Sequence, residues 1–256
     1  MFKQVIASVL VSAAAANLVF AQNVCPTTGK PDCPSTLSFT DKISVTETFS
    51  IVNYKGDVQP TLIQFLQGVN YNLSDSLDIS LTIPVYIEET TELGAIGLDL
   101  TWDAFASEKL DLALRVGLDT PMNTVYGASS FDPSLGGAVT VVLPWNSKFI
   151  QTVNYEFVTG DAFSLAFGSK VTEDILTMNS SWVHSLSKNL DLGLNVWQNY
   201  TVDSDGQQNI LVGPDLKWSI TDNISLDTSI ALPVYQNVTA SAEQNYTLTA
   251  SLGIKF

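Results

Sequence analysis

From about residue 43 to the final phenylalanine the chain is written in steps of two. Apolar and polar side chains alternate over runs of about ten residues, the period of a strand whose two faces meet different surroundings rather than the 3.6 of a helix. The clearest runs set Leu77, Ile79, Leu81, Ile83, Val85 and Ile87 against Asp78, Ser80 and Thr82, and Leu110, Leu112, Leu114, Val116 and Leu118 against Asp111, Arg115 and Asp119. Leu190, Leu192, Leu194 and Val196 oppose Asp191 and Asn195, and Ile224, Leu226, Ile230, Leu232 and Val234 oppose Ser225, Asp227 and Ser229. A chain patterned this way folds as all-β.

The connections narrow the choice further. Each clear run begins after a tight polar turn, SDS at 74–76, SEK at 107–109, SKN at 187–189 and TDN at 221–223. Between these lie longer polar stretches, IEETTE at 87–92, DTPMNTVYGASSFDP at 119–133, NYTVDSDGQQN at 199–209 and QNVTASAEQN at 236–245. Short and long connections alternate, which in an up-and-down antiparallel barrel puts all short turns at one rim and all long loops at the other. Twelve strands are expected, at 43–54, 61–73, 77–87, 94–103, 109–119, 134–143, 148–158, 175–184, 189–198, 210–219, 223–235 and 245–256. The segment VTGDAFSLAFGSKVTED, 158–174, could supply a thirteenth through Phe163, Leu165 and Phe167, but an odd number would part the termini. It is read as a loop, or an extension of the strands beyond the membrane.

A soluble β-sandwich alternates in the same way, so periodicity alone does not decide between it and a membrane barrel. The chain is 45% hydrophobic with only 14% charged residues, against about a quarter in ordinary soluble proteins. Residues 1–21 read as a secretory signal peptide: Lys3 is the positive flank, VIASVLVSAAAANLVF the apolar stretch, and Val19-Phe20-Ala21 the cleavage site. No later apolar run is long enough for a spanning helix. Tyr71, Trp102, Trp182, Trp218 and Phe256 lie near the short-turn ends of their strands, each in phase with the apolar row, with Trp145 in a turn at the same rim. Aromatic residues at one depth on the outer face are the girdle of a membrane barrel.

The ending Tyr246-x-Leu248-x-Ala250-x-Leu252-x-Ile254-x-Phe256 resembles the C-terminal strand of Gram-negative outer-membrane β-barrel proteins. The resemblance implies an outer-membrane location in contact with lipid, recognition of this strand and its Phe256 by the barrel assembly machinery, periplasmic short turns and extracellular long loops. A weaker similarity, in LTIPVYIE at 81–88 and IALPVYQN at 230–237, is to porin-like proteins grouped with the phenol-degradation MetA pathway. It implies no particular solute.

Residues 22–40 are irregular and rich in Pro, Thr and Ser, a periplasmic segment that would serve as a cap, a plug or a tether. Cys25 and Cys33, in CPTTGKPDC, are read as a disulfide formed in an oxidising compartment. Two thiolates with no nearby histidine are too few for zinc, so no metal is expected. The net charge of −15 and the single arginine exclude nucleic acid as a partner.

With the apolar rows toward lipid, the opposite rows line a lumen. They carry Asp78, Asp99, Asp103, Asp111, Asp119, Glu156, Asp191, Asp215 and Asp227 against Arg115, Lys217 and Lys255. Asp78, Asp111, Asp191 and Asp227 follow short turns and gather at one mouth, where carboxylates attract cations and repel anions. The same residues would also serve merely to solvate the interior and pair with its few cations. Arg115 is read either as a group that orients a substrate carboxylate or as a structural ion pair across strands. The sole histidine, His184, lies beside Ser185 without a base and orienting acid, so no enzyme and no cofactor are expected. The sequence points to a porin-like channel, with a surface-interaction barrel as the second reading and a secreted sandwich as the third.

Overall fold

The computed structural model describes residues 42–55, 61–88, 91–122, 124–202, 206–238 and 243–256. The proposed signal peptide, the irregular segment 22–40 and the Cys25–Cys33 pair lie outside these residues. Twelve long strands follow one another: β1 Ile43–Tyr54, β2 Thr61–Ser74, β3 Leu77–Ile87, β4 Gly97–Ala106, β5 Leu110–Asp119, β6 Asp132–Leu143, β7 Ser147–Glu156, β8 Ile175–Ser187, β9 Leu190–Thr201, β10 Gln208–Ser219, β11 Ile224–Asn237 and β12 Gln244–Lys255. Each pairs antiparallel with its neighbours in sequence. The last pairs with the first, from Ser44 opposite Lys255 up to Tyr54 opposite Gln244, and Phe256 donates its N–H to the Ile43 carbonyl at 3.1 Å. The sheet is therefore a closed ring in which every strand has two partners.

Exposure separates the two faces. Along β5, Leu110, Leu114, Val116 and Leu118 are exposed while Asp111 and Ala113 on the alternate row are buried. Leu192 and Leu194 of β9 are likewise exposed and Asn195 buried. A row of leucines bare to solvent around a whole ring is untenable in water and natural in lipid. The polar rows face inward, where Thr48 bonds Ser251, Ser50 bonds Thr249, and Ser181 bonds Asn195 across strands. This is a transmembrane up-and-down β-barrel, inverted relative to a sandwich. Polar residues also stand on the outward rows. Ser180 donates to Gln151 at 2.6 Å, a closed polar pair, and Glu47 stands opposite Gln67.

Local chemistry accounts for departures from the expected boundaries. The fourth strand begins at Gly97 rather than 94, after a short strand at Thr91–Leu93. Pro84 of β3 lies at the interruption, between Thr82 opposite Gly97 and Val85 opposite Leu93, and a proline has no N–H to continue a ladder. Pro233 marks another irregularity, where the β10–β11 register skips a residue between Tyr235 and Pro233. The matching IPVY and LPVY sequences thus end differently: Tyr86 is buried inside, whereas Tyr235 is half-exposed outside. In the three-residue β6–β7 turn, 144–146 between the paired Leu143 and Ser147, Trp145 and Asn146 both have positive φ, 60° and 54°.

Trp102, Trp182 and Trp218 are 51%, 49% and 48% exposed, and Phe256 41%, so all four lie on the outer face. Single-tryptophan variants retaining one of the three indoles, reconstituted in bilayers, are expected to be quenched more strongly by acyl chains brominated near the headgroup than near the methyl end. Equal quenching at both depths would refute the girdle.

Candidate functional site

The segment between β7 and β8 does not add a strand to the wall. Ala162–Ser164 and Ser169–Val171 pair as a small hairpin of their own, and the hairpin folds into the barrel at the long-loop rim. Its anchors come from widely separated strands. The Leu165 carbonyl accepts from the Tyr54 hydroxyl of β1 at 2.9 Å and from Gln244 Nε2 of β12 at 3.0 Å, while the Ala166 carbonyl accepts from Asn209 Nδ2 of β10 at 2.8 Å. On the other side Phe163 packs edge-on against Tyr86 of β3 and against Tyr126 of the β5–β6 loop, whose rings stack at 4.8 Å. A segment leaving the wall between β7 and β8 and bound to β10, β12, β1 and β3 spans the opening.

The sequence permits this because the segment is apolar where it turns inward. Phe167 is fully buried with Val171 and Ile175, and Val52, Tyr54, Leu62, Tyr86 and Tyr126 form the apolar ring that receives Phe163 and Leu165. Gly168 has φ +60°, and a Cβ there would meet the Tyr54 ring at 2.7 Å, so the tip requires glycine for its conformation and for its clearance. Burial, together with the adjacent Glu88 carboxylate, pushes the Tyr126 phenol above its usual range, which keeps it a donor to Glu88 Oε2 at 2.5 Å. Lys170 pairs with Asp161 at 3.3 Å across the hairpin.

Below the hairpin the inward rows carry the expected charges in distinct arrangements. Arg115 of β5 grips Asp99 of β4 with both prongs, Nε to Oδ1 at 2.7 Å and Nη2 to Oδ2 at 2.5 Å. Asp111 and Asp119, its neighbours along the strand, are not its partners. Directly opposite residues differ by strand register, which places Thr101 across from Arg115 and Asp99 on the diagonal. Asp99 is 5% exposed, and the pair makes Arg115 a strut. Asp111 is also buried and accepts the Ser107 N–H of the short turn at 3.3 Å. Asp191, Lys217 and Asp227 stand side by side on β9, β10 and β11. Asp215 accepts from Asn195 Nδ2 at 2.7 Å. Asp78 stands between Asn72 and Thr101, Asp103 opposite Ala113, Asp119 between Gly97 and Asp132, Glu156 opposite Ser134, and Lys255 opposite Ser44. The structure adds Asp132, Lys148 and the hairpin itself to the interior.

His184 bonds Ser147 Oγ through Nδ1 at 3.0 Å and stacks on Trp182, on the outward row at the short-turn rim. Its partner is Ser147 of the neighbouring strand rather than Ser185. Among the described residues no group of three His, Cys, Asp or Glu side chains is placed to hold a metal.

These features define a transmembrane β-barrel with an apolar exterior, an acidic interior and one folded loop across an end. No protein-family model and no curated protein matches the sequence. Solved structures do match it. An outer membrane channel from Pseudomonas putida F1 superposes over 89% of this chain and 100% of its own, with TM-score 0.63 and 13% identity. The NanC porin matches over 84% and 100% with TM-score 0.59 and 6% identity, and the KdgM porin in complex with disordered oligogalacturonate over 83% and 99% with 0.55 and 8%. The chain has the fold of the outer-membrane porins.

Two substitutions test the interior. Gly168→Val forces a β-branched residue into the left-handed region, at about 1–3 kcal/mol, and against Tyr54; faster tryptic cleavage at Lys170 of the detergent-solubilised protein is expected, and an unchanged rate would show that the tip is not held there. Arg115→Met strands a buried carboxylate and should lower unfolding stability by roughly 2–3 kcal/mol, less than in a dry core because the arginine side chain is partly exposed; unaltered urea midpoints would deny Arg115 its bracing role.

Proposed function

We propose that this protein is an outer-membrane channel for small solutes that prefers cations and is restricted at its outer mouth by the hairpin of the β7–β8 loop. The observation that carries this reading is the pairing of a lipid-type exterior with an interior of carboxylates, hydroxyls and amides. Eight strands leave an interior just wide enough for side chains to fill, and twelve enclose a wider space. Here the inward rows of β12, β1 and β8 offer Thr249, Ser251, Thr48, Ser50, Asn179 and Ser181, groups that exchange hydrogen bonds with water and with polar solutes.

The sign of the preference rests on the uneven charge. Asp78, Asp103, Asp119, Asp132, Glu156, Asp191, Asp215 and Asp227 face inward against Lys148, Lys217 and Lys255, Lys217 between two aspartates, while Arg115 is already neutralised by Asp99. A pore with such walls concentrates cations and excludes anions. The KdgM porin was solved with an oligogalacturonate, a polyanion; the acidic rows of this chain argue for a solute of the opposite charge.

In this reading residues 1–21 direct export in a Gram-negative cell, the Cys25–Cys33 disulfide ties the segment before the barrel on the periplasmic side, the last strand with Phe256 is what the assembly machinery recognises, and the protein works without a cofactor or catalytic step. A surface-interaction barrel is the second reading, favoured by the hairpin that spans the mouth. In planar bilayers under a salt gradient, the reversal potential is expected to report cation over anion permeation. Anion preference would overturn the acidic-pore reading, and absence of any conductance, also after Gly168→Val, would favour the surface barrel.

A further inference from the structure

Toward the long-loop rim, beneath the hairpin, three carboxylates converge that enter none of the ion pairs among the described residues. Asp119 of β5 stands opposite Asp132 of β6. Glu156 of β7 stands opposite Ser134, one inward position from Asp132. Side chains directly opposed on one face lie about 4.5–5.5 Å apart at Cβ and diagonal ones about 7–8 Å, so the three border one space. Each is within electrostatic reach of the others: Asp132 acts on Asp119, and both act on Glu156.

Asp132 is fully buried. Its Oδ1 accepts from the Thr159 N–H at 2.8 Å, the Thr159 hydroxyl at 3.2 Å and the Ser130 hydroxyl at 3.2 Å, which fixes the carboxylate in place. Its Oδ2, equally buried, meets no donor. Asp119 and Glu156 take part in none of the ion pairs among the described residues, and the nearby Arg115 is committed to Asp99. A buried acceptor left unmade is costly, and like charges at this spacing repel. The arrangement calls for a guest that is positive and donates hydrogen bonds.

The spacing selects among such guests. A hard metal ion draws oxygens to within about 2.0–2.6 Å, and no three acidic groups among the described residues close to that geometry. An ammonium group presents several N–H donors, each satisfied at about 2.7–3.2 Å, and bridges carboxylates that stand further apart. Tyr86 lies near enough for the charges of Asp119 and Glu156 to act on it. We propose that Asp119, Asp132 and Glu156 form a binding subsite for the ammonium group of a small organic amine passing through the barrel. The proposal rests on the cation-channel reading and names the kind of cation.

Spermidine is a suitable probe, compared between the wild-type protein and Asp119→Asn/Glu156→Gln, which spares the buried Asp132 and so the packing around it. Heat-modifiable migration on SDS gels verifies that the variant is folded. Calorimetric titration of spermidine into detergent-solubilised protein reads binding without requiring conduction. Saturable binding weakened roughly tenfold or more in the variant is expected, with the same loss in spermidine block of potassium current. Equal affinity in both proteins, or no saturable binding to the wild type, would overturn the subsite. A cation-selective reversal potential alongside that outcome would leave the channel reading standing and sink this proposal alone; anion selectivity would sink the channel reading itself.

Discussion

Everything in this molecule depends on the hydrogen bonds between its first and last strands. In hydrocarbon an unpaired backbone N–H or C=O has no water to turn to, so a sheet survives there only by leaving no edge. The eleven residue pairs of the β1–β12 seam supply that closure. Once the ring is shut, side-chain alternation has only one outcome: the leucine rows must face lipid and the Asp, Ser, Thr and Asn rows must face each other across the interior. The acidic interior is thus a consequence of topology acting on a period-two sequence.

That logic explains what the sequence disclosed. Twelve strands, their order and the face of each side chain follow from alternation and from the lengths of the connections; strand ends lie within about three residues of the expectation, the largest shifts falling at Gly97–Ala106, Ile175–Ser187 and Leu190–Thr201. Three things were hidden. The reading of Arg115 as an ion pair across strands left its partner open, because neighbours along a strand are visible in sequence and diagonal partners across a ladder are not; that partner, Asp99, is set by register. The segment 158–174 showed Phe163, Leu165 and Phe167 at strand spacing, and whether such residues bury themselves in lipid, in a wall or in the mouth of a pore is decided by the space the closed ring provides. Asp132, the most deeply buried carboxylate of the interior, lies within DTPMNTVYGASSFDP, a stretch that reads simply as loop.

The interior also divides its acids by role. Asp99 and Asp111 are spent on structure, one bound to Arg115 and one to the Ser107 turn. Asp119, Glu156, Asp191 and Asp227 remain at the two ends of the passage, where charge acts on what enters. Neutral hydroxyl and amide ladders on β12, β1 and β8 occupy the wall between. On the channel reading proposed above, a solute would meet acidic groups at each mouth.

One carbonyl ties the two ends of the chain together. Leu165 accepts from Tyr54 on the first strand and from Gln244 on the last, so the hairpin's seat is complete only when those strands lie side by side. The hairpin itself comes from the middle of the chain and has to wait for both termini. A barrel with its seam open therefore lacks the clasp for its own stopper, and a barrel with its seam closed acquires it in the same act. Closing the wall thus also brings together two of the hairpin's anchors, one from each side of the seam.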